Sequence, residues 1–108
     1  MNVSRFDKAT AVSAHEGTIL ASDVLPAGMK APFGHAWGYL DRPGQMDTHS
    51  HPTSEVYLFF EGDGIVVVDG EKRAVSCGDV VQIPPNAPHT VINEKGGKLL
   101  WAALWWND

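Results

Sequence analysis

The sequence predicts an all-β fold, either a sandwich or a closed barrel. From position 26 onward, glycine, proline and aspartate interrupt the chain about every 8 to 12 residues, which is typical of short strands joined by tight turns. The segments between these breaks are rich in β-branched and aromatic residues, as in 55–60 and 65–68. Because many short strands leave exposed edges, closure into a barrel is a favourable arrangement.

Taken in order, the chain predicts an N-terminal arm with strands over residues 1–30, followed by a regular series of strands. Within the arm we expect a strand at 18–22 and a loop or short turn of helix at 24–28. Further strands are predicted at 34–40, 46–51, 55–60, 65–68, 73–75, 80–83, 89–93 and 98–106. For 98–106 a short buried helix is an open alternative, because periodicity alone does not separate the two. Without a repeat or linker composition, residues 1–108 are expected to form a single domain.

The composition argues against several classes of partner. The formal net charge is −5 and no run of lysine or arginine occurs, so we expect no nucleic acid and no anionic membrane surface as a partner. No apolar stretch approaches the ~20 residues that span a bilayer, and the first residues lack the apolar core of a signal peptide. Cys77 is the single cysteine, which excludes an internal disulfide. A cytoplasmic location is therefore expected.

Three histidines and one glutamate form the constellation with the clearest chemistry. His49, His51 and Glu55 are separated by even numbers of residues, so on an extended chain their side chains lie on one face. His51 precedes Pro52, which favours extended backbone at His51. His89 opens a separate predicted strand and can face the same barrel interior. Imidazole and carboxylate groups are suitable ligands for Fe, Mn, Ni, Co, Cu or Zn.

The residues around this constellation follow a known motif. Gly44, His49, His51, Glu55 and Gly62 closely resemble the first motif of the cupin family, G-x5-H-x-H-x3,4-E-x6-G. The spacing from His49 to Gly62 matches the pattern, whereas Gly44 lies one residue closer than the family glycine.

A second stretch resembles the second cupin motif, G-x5-P-x-G-x2-H-x3-N. The matching residues are Gly78, Pro84, Asn86, His89 and Asn93, and every spacing agrees. Asn86 replaces the usual glycine, and asparagine tolerates left-handed backbone better than most residues. The motifs cover residues 44–62 and 78–93, so the chain is identified as resembling a small cupin.

This resemblance implies an all-β cupin-type double-stranded β-helix, or jelly-roll, barrel. It implies that His49, His51, Glu55 and His89 bind one divalent transition metal, because they match the family's ligand positions one for one. It further implies a small-molecule ligand, and pairing of the chain as a homodimer.

The same resemblance suggests a metal-dependent enzyme acting on a small organic substrate. Oxygenases, sugar or uronate isomerases and lyases all occur in such proteins, and the fold does not choose among them. The alternative is a non-enzymatic cupin that binds a metabolite or a metal as a sensor or binding module.

Several further residues are candidates for the site. Tyr57 and Phe59 share the strand phase of Glu55, so both are candidates to line the cavity, although core packing is the simpler interpretation for Phe59. Tyr57 is also a candidate hydrogen-bond donor to a ligand. His35 is a candidate acid or base at the barrel mouth, against the alternative of a surface or interface histidine. Trp101 is a candidate wall residue, although the tryptophans can equally fill the core or form a dimer face.

Overall fold

A computed structural model describes residues 1–108 and shows an almost entirely β molecule, which confirms the predicted fold class. The strands are β1 Val12–Ala14, β2 Ile19–Ser22, β3 Gly34–Leu40, β4 Gly44–Gln45, β5 Ser54–Glu61, β6 Gly64–Val68, β7 Glu71–Val75, β8 Val80–Ile83, β9 His89–Asn93 and β10 Leu99–Trp106. A 3-10 helix at Lys8–Thr10 is the one helical segment. No helix has the length and hydrophobicity that crossing a bilayer requires.

The strands form two antiparallel sheets that enclose a shared core. The first sheet has the order β1-β2-β3-β10-β5-β8 and the second the order β4-β9-β6-β7. Trp101 and Phe59 of the first sheet pack in one buried apolar cluster with Val66 and Val91 of the second. Burial of these side chains supplies the main stabilisation of such a fold.

Strand β10 resolves the ambiguity at the end of the chain in favour of a strand. It lies in the middle of the first sheet and pairs with β3 on one side and β5 on the other. Its alternate residues Leu99, Trp101 and Ala103 belong to the core cluster, which is the periodicity of a strand.

The predicted strand over 46–51 is wrong. Strand β4 ends at Gln45, which pairs with Ile92, and beyond it only His49 forms an isolated bridge, to His89. An unshifted register would place His49 opposite Pro88, which has no N–H to donate to the ladder. The segment from Gln45 to His49 instead contains one residue more than the segment of β9 that it faces, as in a β-bulge.

The first thirty residues contain more regular structure than the sequence predicts. The predicted strand at 18–22 is confirmed as β2, and a turn closed by a hydrogen bond from Met29 N–H to the Pro26 carbonyl follows it. Strand β1 was not predicted; it pairs with β2 and adds an outer strand to the first sheet. The turn that joins β1 to β2 brings His15 close to His49.

Candidate metal centre

Backbone hydrogen bonds between the two motif segments bring the histidines together. The His49 N–H donates to the His89 carbonyl at 3.2 Å, and the His89 N–H donates to the His49 carbonyl at 2.9 Å. The Asn86 N–H donates to the His51 carbonyl at 2.7 Å. Asn86 has a φ of +66°, so it takes the left-handed conformation that its place in the second motif predicted. These main-chain contacts join two loops that are about forty residues apart in sequence.

Glu55 faces the same point from β5. Along this strand Glu55, Tyr57 and Phe59 are buried and their neighbours are less so, which confirms the predicted alternation. The Glu55 side chain is 5% exposed, and its Oε1 lies 2.9 Å from His51 Nε2 and 3.2 Å from His89 Nε2. A carboxylate in this position would be costly without a partner.

In each of the three histidines His49, His51 and His89, the Nδ1 atom already has a polar partner in the protein. Nδ1 donates to the Asp47 carbonyl in His49 and to the Ala87 carbonyl in His89, at 2.9 and 2.8 Å. In His51, Nδ1 lies 2.8 Å from Thr53 Oγ1. Contacts of this kind fix the orientation of metal-binding imidazoles and leave Nε2 as the coordinating atom.

The three imidazoles and the carboxylate suit a transition metal. Ligand nitrogens of His49, His51 and His89 lie within 4.8 Å of one another. His89 Nε2 is buried and makes no hydrogen bond, although it is close to Glu55 Oε1. A buried polar atom without a partner is uncommon in proteins and calls for an explanation. A bound cation would provide one, because neutral imidazole and carboxylate are both ligands for the borderline divalent metals.

Burial controls the protonation of groups around this centre. Loss of solvation lowers the pKa of His49, although the hydrogen bond to the Asp47 carbonyl opposes that shift. Neutral imidazole is the form that binds a metal, so the shift favours ligation at neutral pH. Burial also raises the pKa of Tyr57 well above 10, with a further contribution from the nearby Glu55 carboxylate, and keeps its phenol protonated.

A cavity of about 320 Å³ opens beside the histidines. Its walls are mainly apolar and include Trp101, Trp105 and Met46, whereas Tyr57 and Thr53 contribute polar groups. No lysine or arginine lines it. Tyr57 and Trp101, two of the candidates for the cavity wall, both line it.

Two sequence candidates lie elsewhere. Phe59 points inward but does not line the cavity; it packs in the core with a ring centroid 6.1 Å from that of Trp101. His35 does not line the cavity, although Trp37 on the same face of β3 does. Its Nδ1 accepts a hydrogen bond from the Val24 N–H at 3.0 Å, so His35 holds the loop after β2 rather than serving the cavity mouth.

His15 lines the cavity, and the sequence analysis did not select it. Its ring stacks on that of His49, with 4.2 Å between the centroids and 31° between the planes. Burial and the neighbouring His49 both lower the pKa of His15. The sequence around His15 contains no motif that would identify it. The residue reaches the cavity only because β1 pairs with β2, and this pairing places the turn there.

Comparison with known families and structures agrees with this architecture. Residues 40–106 match the Cupin_2 family model, described as a cupin domain. A Cupin 2 conserved barrel domain protein from Salinispora arenicola superposes with a TM-score of 0.85 at 27% identity, over 99% of this chain and 89% of that one. The plu4264 protein from Photorhabdus luminescens gives a TM-score of 0.86 at 30% identity, over 100% of this chain and 90% of that one.

Curated relatives share a shorter segment. The dimethylsulfoniopropionate lyase DddW of Ruegeria pomeroyi is 41% identical over 56 residues, which is 50% of this chain and 37% of the lyase. Gentisate 1,2 dioxygenase 1 of Aquipseudomonas alcaligenes is 34% identical over 61 residues, which is 55% of this chain and 18% of the dioxygenase. The alignments therefore span well under half of each relative.

Proposed function

The chain belongs to the cupin family, and from that premise we propose that it is a metal-dependent enzyme acting on a small organic substrate. The observation that carries this proposal is the convergence of Glu55 Oε1 with the Nε2 atoms of His51 and His89, beside the ring of His49. Iron, manganese, nickel, cobalt, copper or zinc suits this donor set. Such a metal, when bound, acts as a Lewis acid toward substrate oxygen atoms.

The four residues would bind the metal in complementary ways. His49, His51 and His89 would contribute Nε2, because their Nδ1 atoms are engaged with Asp47, Thr53 and Ala87. Glu55 would contribute Oε1, and its negative charge would partly balance the cation.

The cavity indicates the substrate class. Its apolar walls favour a compact molecule with a partly apolar body, and its volume of about 320 Å³ is near the lower end for small-molecule sites. Because no cationic side chain lines it, a polyanionic substrate would lack a counter-charge. A neutral or singly charged molecule with two neighbouring oxygen donors fits best. The protonated Tyr57 hydroxyl would donate a hydrogen bond to it.

The names of the curated relatives favour two of the reaction types that the family resemblance implies. Two curated relatives that align with about half of this chain are named as a lyase and as a dioxygenase. We therefore favour lyase or dioxygenase chemistry over sugar or uronate isomerisation. Pairing as a homodimer and a cytoplasmic location stay predictions.

Metal analysis of matched histidine variants tests the assignment. We expect the purified protein to hold about one metal ion per chain, and His51→Ala to hold less than about a tenth of that, because loss of a ligand costs at least the 10- to 100-fold in affinity seen for outer contacts. His35→Ala is the control, because His35 lies outside the cavity. Circular dichroism should show both variants folded, since the apolar core does not include the metal. Stoichiometric metal in folded His51→Ala would refute the ligand set.

Turnover assays on the metal-loaded protein separate the enzyme from the binding module. Oxygen consumption and elimination products are measured across a panel of small carboxylates, hydroxy acids and catechols. Binding without turnover of any of them would favour the alternative, a cupin that binds a metabolite or metal without catalysis.

A further inference from the structure

His15 differs from the other four histidines in how its ring is used. Each of His35, His49, His51 and His89 has Nδ1 hydrogen-bonded to the protein. Neither ring nitrogen of His15 makes such a bond, and the residue is exposed on the rim of the cavity. An imidazole that lines a cavity with both nitrogens free is available to a molecule that enters it.

The backbone holds His15 in place at a conformational cost. His15 and Glu16 both have left-handed φ values, +50° and +61°, and Gly17 follows at +77°. Non-glycine residues rarely adopt this conformation, and such strain is retained where surrounding contacts enforce it. This left-handed turn places the His15 ring beside that of His49.

Thr18 provides the contact that connects this turn to the metal-binding loop. Its hydroxyl donates to the His15 carbonyl at 2.6 Å and accepts from the Asp47 N–H at 2.9 Å. The Asp47 carbonyl in turn accepts from His49 Nδ1. One short chain of hydrogen bonds thus sets the position of His15 relative to His49.

His15 does not complete the cluster of candidate ligands. The nitrogens within 4.8 Å of one another belong to His49, His51 and His89, and His15 is not among them. It stacks on the outer side of His49 instead. Its free nitrogens are therefore placed for a molecule in the cavity rather than for the metal.

We propose that His15 is a ligand-recognition residue, whose imidazole hydrogen-bonds to an oxygen atom of the small molecule held at the metal. This inference rests on the proposed function of the site. The β1–β2 turn would then favour ligands that carry oxygen atoms, whereas the tryptophans of the cavity wall favour ligands with an apolar part.

Cobalt-substituted protein tests this proposal, with acetohydroxamate as a small bidentate oxygen donor. Visible absorption of Co(II) reports both metal occupancy and probe binding. We expect His15→Ala to bind cobalt with unchanged stoichiometry and an unchanged spectrum before the probe is added. Its dissociation constant for acetohydroxamate should rise about 10-fold, as for loss of one hydrogen bond. Glu16→Ala is the matched control, because Glu16 occupies the same turn but does not line the cavity; its affinity should stay within about 2-fold.

Each other outcome overturns the proposal. Equal probe affinity in His15→Ala would show that no hydrogen bond is made. Lost cobalt or a changed spectrum before addition of the probe would show that His15 binds the metal or positions His49. An equal loss of affinity in Glu16→Ala would assign the effect to the turn as a whole. If the parent protein binds no cobalt, the proposed function fails together with this inference; in the other cases the proposed function stands.

Discussion

Gly38 on β3 lies directly opposite Trp101 on β10, and the indole ring covers it. A Cβ atom added in Gly38→Ala would stand 2.3 Å from Trp101 Cε2, whereas carbon atoms in contact are about 3.5–4.0 Å apart. The ring would have to retreat by more than ~1 Å. Trp101 is 1% exposed and its ring centroid is 6.1 Å from those of Tyr57 and Phe59, so the space open to it is the cavity that it lines.

The expected cost follows from overpacking. Inserting a methyl group into a well-packed core costs about 1–3 kcal/mol. Replacement of glycine by alanine also restricts the unfolded chain and offsets about 0.4–1 kcal/mol of this. We therefore expect Gly38→Ala to lower the free energy of unfolding by roughly 1–2 kcal/mol, which in a chain of this size lowers Tm by about 4–16 °C.

Gly34→Ala is the matched control on the same strand. Its Cβ would stand 2.1 Å from Trp105 Cε2, but Trp105 is only half-buried and can turn toward solvent. We expect less than half the loss seen for Gly38→Ala. Urea unfolding monitored by tryptophan fluorescence measures both free energies. A Gly38→Ala midpoint equal to that of the parent, or a larger loss in Gly34→Ala, would refute the view that displacement of the buried Trp101 ring is the more costly change.

Two further predictions concern the backbone of the second motif and the tyrosines. Asn86→Gly should leave the free energy of unfolding within about 0.5 kcal/mol of that of the parent. Asn86→Val should lower this free energy by about 1–2 kcal/mol, because a β-branched residue resists the φ of +66°. Equal urea midpoints for the two variants would contradict this prediction. Burial raises the pKa of Tyr57 well above 10 and also raises the pKa of Tyr39. The stability that the two neutral phenols contribute is therefore complete below pH ~10, and it is lost as the pH rises through their pKa values in the folded protein. Ultraviolet titration should show both tyrosines ionising later in native protein than in guanidinium chloride, and coincident curves would count against their burial.

Much of the fold could be predicted because strands carry a local pattern. The alternation that places Glu55 and Tyr57 on one face of β5 is present in a stretch of eight residues, and the structure confirms it. The proximity of His49 and His51 was expected from a strand at 46–51, which the structure does not contain. They lie on a bulged loop whose position depends on Pro88 and His89, far away in sequence.

The residues that only folding brings together could not be found in this way. His15 lines the cavity because β1 joins the sheet beside β2, although nothing in its neighbourhood along the chain marks it. Conversely, Phe59 has the right phase but lies too deep in the core to reach the cavity. The alternation of residues along a strand predicts which face of the sheet a side chain occupies. It does not predict how far that side chain lies from the cavity.

The amino-acid order alone determined most of the strand segments, apart from β1 and residues 46–51, together with the turn positions and the candidate ligand types. Each of these depends on backbone and side-chain preferences within a few residues. Tertiary structure decided that His89 meets His49, that Trp101 covers Gly38 and that His15 reaches the rim. These contacts join residues 34 to 63 positions apart. They form only when the two sheets close around a common apolar core, which is a cooperative property of the whole chain.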